Sequence, residues 1–364
     1  MHLKNLVLFC LLLSFKIADA QKPSTKNLVI ITFDGYRWKD LFNGADSSNL
    51  FEKKFTSQDS IWRIKKYWGK DTNERRAKLM PFFWNTIAKN GQIYGNRDYG
   101  NFVNVTNRYW FSYPGYNEIF TGYADTLINS NAHPANHNIN ILEFLNKIPE
   151  FKDKVATFTS WDAFYKILNE GRAGFPINSG YNNVKGDNLS DVQKVLNDLQ
   201  WWLPKDYGMG ERHDGITYSF AKEYVKINHP RVLQLSFIET DALAHSGKYD
   251  YYLDAANYND KMIEDLWNYM QSDPFYKDNT TFVITEDHGR GYEDNWQHHY
   301  YTVAHSDEIF FAVMGPDTKA LGEVKQKGQL YQNQFAQTMA EFLGVKFKNG
   351  HEIGNSIKEV LPQK

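Results

Sequence analysis

The sequence predicts an α/β fold with a doubly wound, mostly parallel central sheet and helices on both faces. Near-continuous apolar runs of five to seven residues recur along the chain, as is typical of strands buried on both faces. Segments with apolar residues at helical spacing lie between these runs. This alternation favours parallel strands joined by right-handed crossovers. In such sheets ligands bind beyond the carboxyl ends of the strands, so functional residues are expected there.

Five segments carry the strand pattern, in the order 28–33, 155–159, 232–238, 281–285 and 309–314. The first is followed directly by Asp34, and the second leads to Trp161 and Asp162. The last ends in Gly315 and Pro316, which commonly begin a loop. The first four segments therefore bring acidic residues to the edge of the predicted sheet where ligands bind.

Helical patterns are predicted over 191–203, 218–227, 251–270 and 330–343. Residues 42–101 are polar and aromatic and follow neither pattern, so they are expected to form an irregular, cap-like insertion near the site. No segment of linker-like composition interrupts residues 21–364, which favours a single domain.

The composition fits a globular protein with a sizeable core and no nucleic-acid partner. The chain has 364 residues, of which 42% are hydrophobic and 23% are charged, so it can bury a large core. Its formal net charge of −2 shows none of the basic footprint of a protein that binds nucleic-acid polymers. The sequence carries no signal of oligomeric state.

The N-terminal residues predict an exported protein. Lys4 precedes an apolar run over 6–15 that is too short to span a bilayer comfortably, and Ala18-Asp19-Ala20 fits a signal-peptidase site. Residues 1–20 are therefore predicted to be a signal peptide, and the mature protein to be secreted or periplasmic without stable membrane insertion. The only cysteine, Cys10, lies in this segment, so the mature chain cannot rely on disulfides.

Potential metal ligands follow three of the predicted strands. They are Asp34 after the first, Asp241 and His245 after the third, and Asp287 and His288 after the fourth. One aspartate at a strand end is unremarkable, but three carboxylates gathered at one edge repel one another unless a cation neutralises them. Histidine and aspartate together suit zinc, with manganese or iron as alternatives. The spacing leaves His298, His299 and His305 open as a further ligand.

Ser112 is the candidate nucleophile. It lies just ahead of Pro114, a residue that suits the first turn of a helix, and a helix N-terminus offers free N–H groups to a phosphate. A metal ion lowers the pKa of a nearby hydroxyl, and two ions about 3.5–4 Å apart can clamp an in-line displacement. The alternative is that Ser112 only caps the helix. The chain has no G-x-S-x-G elbow, so metal activation is the more economical hypothesis.

Five motifs occur in order along most of the mature chain, namely ITFDGYRW, FSYPGYNEIFTG, IETDALAH, TEDHGRG and WQHH. With these motifs, the chain resembles the alkaline phosphatase superfamily of two-metal hydrolases. The most similar branch is the nucleotide pyrophosphatase/phosphodiesterase-like group of secreted proteins. The resemblance runs from about residue 28 to residue 316, and it implies an alkaline phosphatase-like catalytic domain.

The resemblance implies a role for each candidate. One divalent ion is implied to bind Asp34, Asp287 and His288, and the second to bind Asp241, His245 and a later histidine. The family pattern of a tryptophan, two residues and a histidine selects His299 over His298 and His305. Ser112 matches the nucleophile and metal-contacting hydroxyl, in place of the threonine common in the phosphodiesterase branch.

Substrate contacts are implied less directly. Asn129, Asn131, Asn136 and Asn138 lie where the family has a phosphate-binding asparagine, and Asn131 is nearest to the family spacing. Arg290 is a candidate for a phosphate contact. Arg37 is a second candidate for that contact. Both arginines could instead be solvated loop charges or partners for nearby acids, and this interpretation is preferred for Arg37.

The predicted function is a secreted two-metal phosphoester hydrolase that acts through a phosphoserine at Ser112, with zinc expected and manganese as the alternative. SYPGYNE departs from the TFPNH of the phosphodiesterase branch, so monoester or diester preference and the natural substrate stay open. A sulfatase is disfavoured because the run from Ser112 to Tyr116 lacks the arginine of C/S-x-P-x-R. The export signal argues against a phosphoglycerate mutase-like enzyme. A secreted glycan-binding protein without activity is the alternative from another class.

Overall fold

A central eight-stranded sheet organises the part of the chain described by the structure, which is residues 23–57 and 60–362 of a computed structural model. The strands are β1 (Asn27–Phe33), β2 (Gly91–Tyr94), β3 (Asn101–Asn104), β4 (Val155–Thr159), β5 (Ile177–Ser179), β6 (Val232–Phe237), β7 (Thr280–Glu286), β8 (Phe311–Met314), β9 (Gly322–Glu323) and β10 (Gly328–Tyr331). The order across the main sheet is β5-β4-β6-β1-β7-β8-β2-β9, while β3 and β10 form a separate pair.

Helices connect these strands. The α-helices are α1 (Trp38–Asn43), α2 (Ser47–Leu50), α3 (Ser60–Tyr67), α4 (Thr72–Leu79), α5 (Ala88–Asn90), α6 (Ser112–Thr121), α7 (Ile141–Asn146), α8 (Phe164–Ile167), α9 (Glu170–Ala173), α10 (Asp191–Trp202), α11 (Asp214–Asn228), α12 (Glu239–His245), α13 (Tyr249–Ser272) and α14 (Phe335–Phe342). Short 3₁₀ helices cover Lys53–Phe55, Arg97–Tyr99, Glu293–Gln297, Gln332–Gln334 and Lys358–Val360, and a π-helical turn covers Phe83–Ile87.

The five neighbouring strands β5, β4, β6, β1 and β7 are parallel to one another, which confirms the predicted fold class. All five predicted strands are present, with ends shifted by one or two residues. The last of them, β8, runs antiparallel to both of its neighbours, β7 and β2. An apolar run indicates burial but not strand direction, so this feature could not be read from the sequence.

The prediction of a helix over 330–343 is wrong for the first third of that range. Residues 328–331 form β10, which pairs in parallel with the short β3, and α14 begins only at Phe335. Leu330 packs against the core from this strand. Pairing with an available strand edge thus overrides the helical spacing of its apolar residues.

Residues 42–101 are more regular than the predicted irregular cap. They contain α2 to α5 and the π-helical turn, followed by β2, which joins the central sheet, and by a short 3₁₀ helix. Arg63 of α3 forms ion pairs with Asp250 and Asp254 of α13, while the backbone N–H groups of Phe82 and Phe83 donate to Asp260. These helices span eight residues or fewer, so none sustains the spacing that reveals a helix in a sequence.

Two hydrophobic cores cover the two faces of the sheet. Side chains of a strand alternate between faces, so Val29, Ile31 and Phe33 of β1 join one core while Leu28 and Ile30 join the other. Helices α11 and α13 pack on the first face, and α6, α7 and α14 on the second. Burying each such aliphatic side chain contributes roughly 1.5–3 kcal/mol to stability.

The predicted signal peptide, residues 1–20, and Cys10 lie outside the described residues. Within residues 23–57 and 60–362, no helix combines the length and apolar character needed to cross a membrane.

Replacement of Ile30 by alanine should lower the free energy of unfolding by about 2–5 kcal/mol, because the side chain is fully buried in the central strand and its loss leaves a cavity. Urea denaturation would measure the change. Ile61→Ala is the matched control, since that side chain is 67% exposed and its loss should change stability by less than about 0.5 kcal/mol. Equal effects of the two substitutions would contradict the assigned core.

Candidate active site and metal centre

The sheet brings the predicted ligands together because β1 lies between β6 and β7. Phe33, the last residue of β1, is in register with Phe237 of β6 and Glu286 of β7. Asp34 and Asp287 therefore follow their strands at the same level, and α12, which carries Asp241, begins beside them.

Asp34, Asp287 and His288 form the first cluster. Their potential ligand atoms lie within 4.8 Å of one another, and all three side chains are fully buried. His288 Nε2 is 3.5 Å from Asp34 Oδ1 and 3.5 Å from Asp287 Oδ2. Its Nδ1 lies 2.9 Å from the carbonyl oxygen of Gly289, to which it donates a proton. Nε2 is therefore the ring nitrogen that faces the two carboxylates.

This cluster carries more negative charge than its surroundings neutralise. Burial, and then repulsion from a neighbouring aspartate, raises the pKa of both Asp34 and Asp287. For His288 burial lowers the pKa, but Asp287 and Asp34 outweigh it and raise the pKa to about 9. Asp287 Oδ2 is buried and has no hydrogen-bond partner among the described residues. An orphaned carboxylate oxygen beside an imidazole nitrogen that can exchange its proton for a metal fits a divalent cation.

Asp241, His245 and His299 form the second cluster. His245 Nε2 is 3.2 Å from Asp241 Oδ2 and 3.0 Å from His299 Nε2, which in turn is 3.6 Å from Asp241 Oδ1. Burial and the neighbouring His288 hold the pKa of His299 well below its ordinary value, so this imidazole is neutral and able to bind a metal. The His288 and His299 rings stack with centroids 4.0 Å apart, so the two clusters adjoin.

Arg290 is a partner of this second cluster. It is 1% exposed, and its guanidinium contacts Asp241 Oδ1 and the carbonyl oxygens of Trp296 and Gln297. Burial would raise the pKa of Asp241, but Arg290 and His245 hold it well below its usual range. A phosphate contact by Arg290, as predicted, therefore competes with an ion pair that the fold already provides.

Ser112 begins α6 and faces the first cluster. Phe111 is the N-cap residue of α6, and no side chain caps it locally, so the interpretation of Ser112 as a simple N-cap does not describe the structure. Its Oγ lies 3.3 Å from Asp34 Oδ1 and 3.3 Å from His288 Nε2. The hydroxyl is thus placed where an ion bound by these ligands would also contact it.

Close packing fixes α6 and Asp34. A Cβ on Gly115 would lie 2.3 Å from the carbonyl oxygen of Asp287, so glycine allows the helix to approach the end of β7. Gly35 has φ of +53°, and its N–H donates to Asp287 Oδ1 over 3.0 Å. A Cβ there would lie 2.6 Å from Asp241 Oδ1. Glycine at position 35 therefore allows the two clusters to adjoin.

Asn131 lies beside the start of α6. Its Oδ1 accepts a hydrogen bond from the backbone N–H of Tyr113, over 2.9 Å, and so replaces the missing cap. Its Nδ2 has no hydrogen-bond partner among the described residues and remains available to a ligand. Asn136 and Asn138 are buried, and their side-chain amides donate to Asn117, so they are not available to contact phosphate.

The other candidates lie away from the clusters. His305 stacks on Tyr292 and pairs with Glu308, and His298 is exposed. Arg37 is buried and forms an ion pair with Asp40 over 2.7 Å, so it is a partner of a nearby acid and not a solvated loop charge.

Three supporting residues could not be identified from the sequence. The Tyr116 hydroxyl lies 3.1 Å from Asp34 Oδ2, and the Thr240 hydroxyl donates to the carbonyl oxygen of Asp34 over 2.6 Å. Glu211 lies near Asp241 and Asp34. Burial, and then repulsion from these two carboxylates, raises the pKa of Glu211 to about 8. A lone glutamate in a loop carries no spacing signal, so only the fold shows that it belongs to the site.

The sequence matches no protein-family model and no curated protein. Its structure, however, is similar to several solved structures. Alkaline phosphatase PafA aligns with a TM-score of 0.59 at 12% identity, covering 94% of this chain and 100% of that one. The lipoteichoic acid synthase LtaP from Listeria monocytogenes aligns at 0.53 and 14%, covering 89% and 73%. The phosphonate monoester hydrolase SpPMH from Silicibacter pomeroyi aligns at 0.53 and 13%, covering 92% and 76%.

These alignments identify an alkaline phosphatase-like fold. They confirm the predicted resemblance to the alkaline phosphatase superfamily at the level of the fold, while the nucleotide pyrophosphatase/phosphodiesterase-like branch stays a prediction. At 12–14% identity these similarities extend to the fold, whereas the chemistry depends on the residues of the site.

The stability of the metal-free protein should fall as pH rises from 6.5 towards about 9. The folded pKa of His288 lies above its unfolded value, so the stabilisation is complete below 6.5 and is lost as the folded site releases its proton. The raised pKa values of Asp34 and Asp287 act in the same direction. A bound divalent ion replaces these protons, so the loaded protein should lose less stability over this range.

Urea denaturation with and without a chelator would measure both effects. Asp287→Asn is the informative variant, because it removes one of the buried charges. Without metal it should be more stable than the parent at the upper end of this pH range, and added metal should stabilise it less. Equal stability of the chelated and loaded parent across the range would contradict the metal assignment.

Proposed function

We propose that this protein is an exported, metal-dependent phosphoester hydrolase in which Ser112 is the nucleophile. The observation that carries the proposal is the position of the Ser112 hydroxyl, 3.3 Å from both Asp34 and His288 at the N-terminus of a ten-residue helix. Export is proposed because residues 1–20 have the pattern of a secretory signal peptide.

Two divalent ions are proposed, with zinc as the first candidate and manganese as the alternative. Asp34, Asp287, His288 and Ser112 would hold one, and Asp241, His245 and His299 the other. Mixed carboxylate and imidazole donors suit these metals. When bound, such ions supply Lewis-acid stabilisation of charge on phosphoryl oxygens and lower the pKa of a contacting hydroxyl.

The residues of the chain then have defined tasks. Ser112 Oγ gives up its proton to solvent and attacks phosphorus, forming the Oγ–P bond as the bond to the leaving oxygen breaks. The leaving oxygen takes the electron pair and gains a proton from water. A water molecule next attacks phosphorus, the Oγ–P bond breaks, and Ser112 recovers a proton. The product that carries the phosphorus is phosphate, or a phosphate monoester if the substrate was a diester.

Other groups orient the reacting atoms. At the start of α6 the N–H of Tyr113 donates to Asn131, Pro114 has no N–H, and the N–H of Gly115 donates to the carbonyl oxygen of Phe111. The backbone N–H of Ser112 and the Nδ2 of Asn131 are therefore the donors proposed for the phosphate. Tyr116 and Thr240 hold Asp34 in place through its carboxylate and its carbonyl oxygen. The phosphorylated substrate is a small molecule, since neither the net charge nor the site suggests a nucleic-acid polymer.

Ser112→Ala should lower the turnover of a chromogenic phosphoester by at least about 10³-fold, since it removes the group that forms the covalent bond. In the parent, rapid acid quenching followed by mass spectrometry should detect a phosphate on the peptide that contains Ser112. Ser219→Ala is the matched control, because that serine is half-buried and its hydroxyl bonds only within α11, to the carbonyl oxygen of Gly215. Full activity of Ser112→Ala would contradict the assignment.

A chelator should abolish the activity, and zinc or manganese should restore it, because the substrate oxygens would otherwise face uncompensated carboxylates. The same preparations should be tested on a matched sulfate ester. Faster hydrolysis of the sulfate ester would favour the sulfatase alternative. Failure of the loaded protein to hydrolyse phosphate monoesters, diesters or sulfates would favour the binding protein.

A further inference from the structure

Asp214 is a buried acid that the proposed chemistry does not use. It begins α11, and its side chain is fully buried. Its Oδ1 accepts hydrogen bonds from the N–H of Ile238 over 2.8 Å and from the hydroxyl of Ser160 over 2.6 Å. Its Oδ2 accepts from the N–H of Glu239 over 3.1 Å and from the side-chain amide of Asn259 over 3.2 Å. Four donors that meet two oxygens suit a carboxylate and no other side chain of this size.

Two of these donors belong to the start of α12. Ile238 is the N-cap residue of this helix and Glu239 is its first residue, and the apolar side chain of Ile238 cannot cap the helix. The first N–H groups of a helix have no partner within the helix. Asp214 supplies that partner from 24 residues earlier in the chain, and so it fixes the place where α12 leaves the end of β6.

α12 carries Asp241 and His245, two of the three ligands proposed for the second ion. They are four residues apart and therefore lie on the same face of the helix. A helix of seven residues has little stability of its own, so its position depends on its attachments. At the first turn these are Asp214 and the hydrogen bond from Thr240 to the carbonyl oxygen of Asp34. Among the described residues Asp214 has no hydrogen bond or ion pair with a proposed ligand, so its influence on a metal passes through the helix.

We propose that Asp214 is a positioning residue for the second metal cluster, because it holds the start of α12 where Asp241 and His245 can bind one ion. This inference rests on the two-metal site of the proposed function. A displaced first turn of α12 would move both ligands together. The first cluster follows β1 and β7 instead and would keep its place. The signature of this role is therefore a loss of affinity for the second ion alone.

Asp214→Asn is the informative substitution. It keeps the shape of the side chain, but in either orientation the amide nitrogen meets two donors that had faced a carboxylate oxygen. The start of α12 then loses its anchor, while all the proposed ligands stay in the chain. Loss of a group that orients metal ligands typically weakens metal binding about 10–100-fold.

The affinity of each cluster can be measured separately. His245→Ala removes a ligand from the second cluster and Asp287→Asn removes one from the first, so the tightly bound ion that each variant retains reports the other cluster. Zinc binding is followed by competition with a chromophoric chelator at mildly alkaline pH. The pKa of Asp214, which burial and then Glu239 raise to about 7, leaves the carboxylate ionised there.

Added to Asp287→Asn, the substitution Asp214→Asn should raise the Kd of the retained ion about 10–100-fold. Added to His245→Ala, it should change the Kd of the retained ion by less than about twofold, since sites without shared contacts behave independently.

Asp260→Asn is the matched control. Asp260 is also fully buried, and it accepts the backbone N–H groups of Phe82 and Phe83 over 2.7 and 2.9 Å. The same substitution there breaks the same kind of contact in another part of the fold. Both variants should unfold at lower urea concentration than the parent, but Asp260→Asn should leave both metal affinities within about twofold.

Ser160→Ala is a milder variant that decides the question even if Asp214→Asn does not fold. It keeps the carboxylate and removes one of its four donors, so Asp214 is held less firmly. The affinity for the second ion should fall about threefold, as expected for one hydrogen bond, and the affinity for the first ion should not change.

The outcomes separate this inference from the proposed function. An equal loss at both clusters in Asp214→Asn, or the same loss in Asp260→Asn, would overturn the inference, because the effect would then be a general loss of stability. Unchanged affinity in Asp214→Asn or, if that variant does not fold, in Ser160→Ala would also overturn it. A parent protein that binds two ions but hydrolyses no phosphate ester would overturn the proposed function, while the affinities of the two clusters would still decide the role of Asp214.

Discussion

The mutual repulsion of buried carboxylates is the constraint on which this site depends. Parallel pairing of β6, β1 and β7 places Asp34, Asp241 and Asp287 at one edge of the sheet, and Asp34 and Asp287 are fully buried there. Three such charges in a poorly hydrated place cannot all persist without cations. The protein meets this demand with His288 and Arg290 from its own chain, and divalent ions would meet it more completely.

The two clusters differ in how their charge is balanced. The guanidinium of Arg290 already contacts Asp241, so the second cluster contains a permanent cation. The first cluster has only the titratable His288, and one oxygen of Asp287 lacks a hydrogen-bond partner. The cluster beside Ser112 is thus the one that gains more from a metal ion, and it is also the one where a lowered hydroxyl pKa is useful.

The sequence predicted correctly those elements whose local pattern of apolar residues matches their place in the fold. Continuous apolar runs identified β1, β6 and β7, and the residues after them supplied five of the proposed ligands, since parallel strands bring their carboxyl ends to one edge. The choice of His299 needed the family pattern, because three histidines lie close together in sequence. β10 and the helices of 42–101 were missed because strand pairing and packing against α13, not spacing, determine them. Glu211 reaches the site only through its bridge to Trp161.

The burial of the whole of α6 links Ser112, the proposed nucleophile, to the packing of the protein interior. All ten residues from Ser112 to Thr121 are buried, and Gly115 packs directly on the backbone of Asp287. The serine is thus not carried by a mobile loop that could loosen on its own. Thermal inactivation should therefore coincide with cooperative melting of the interior, and a partly opened protein with a competent nucleophile should not accumulate.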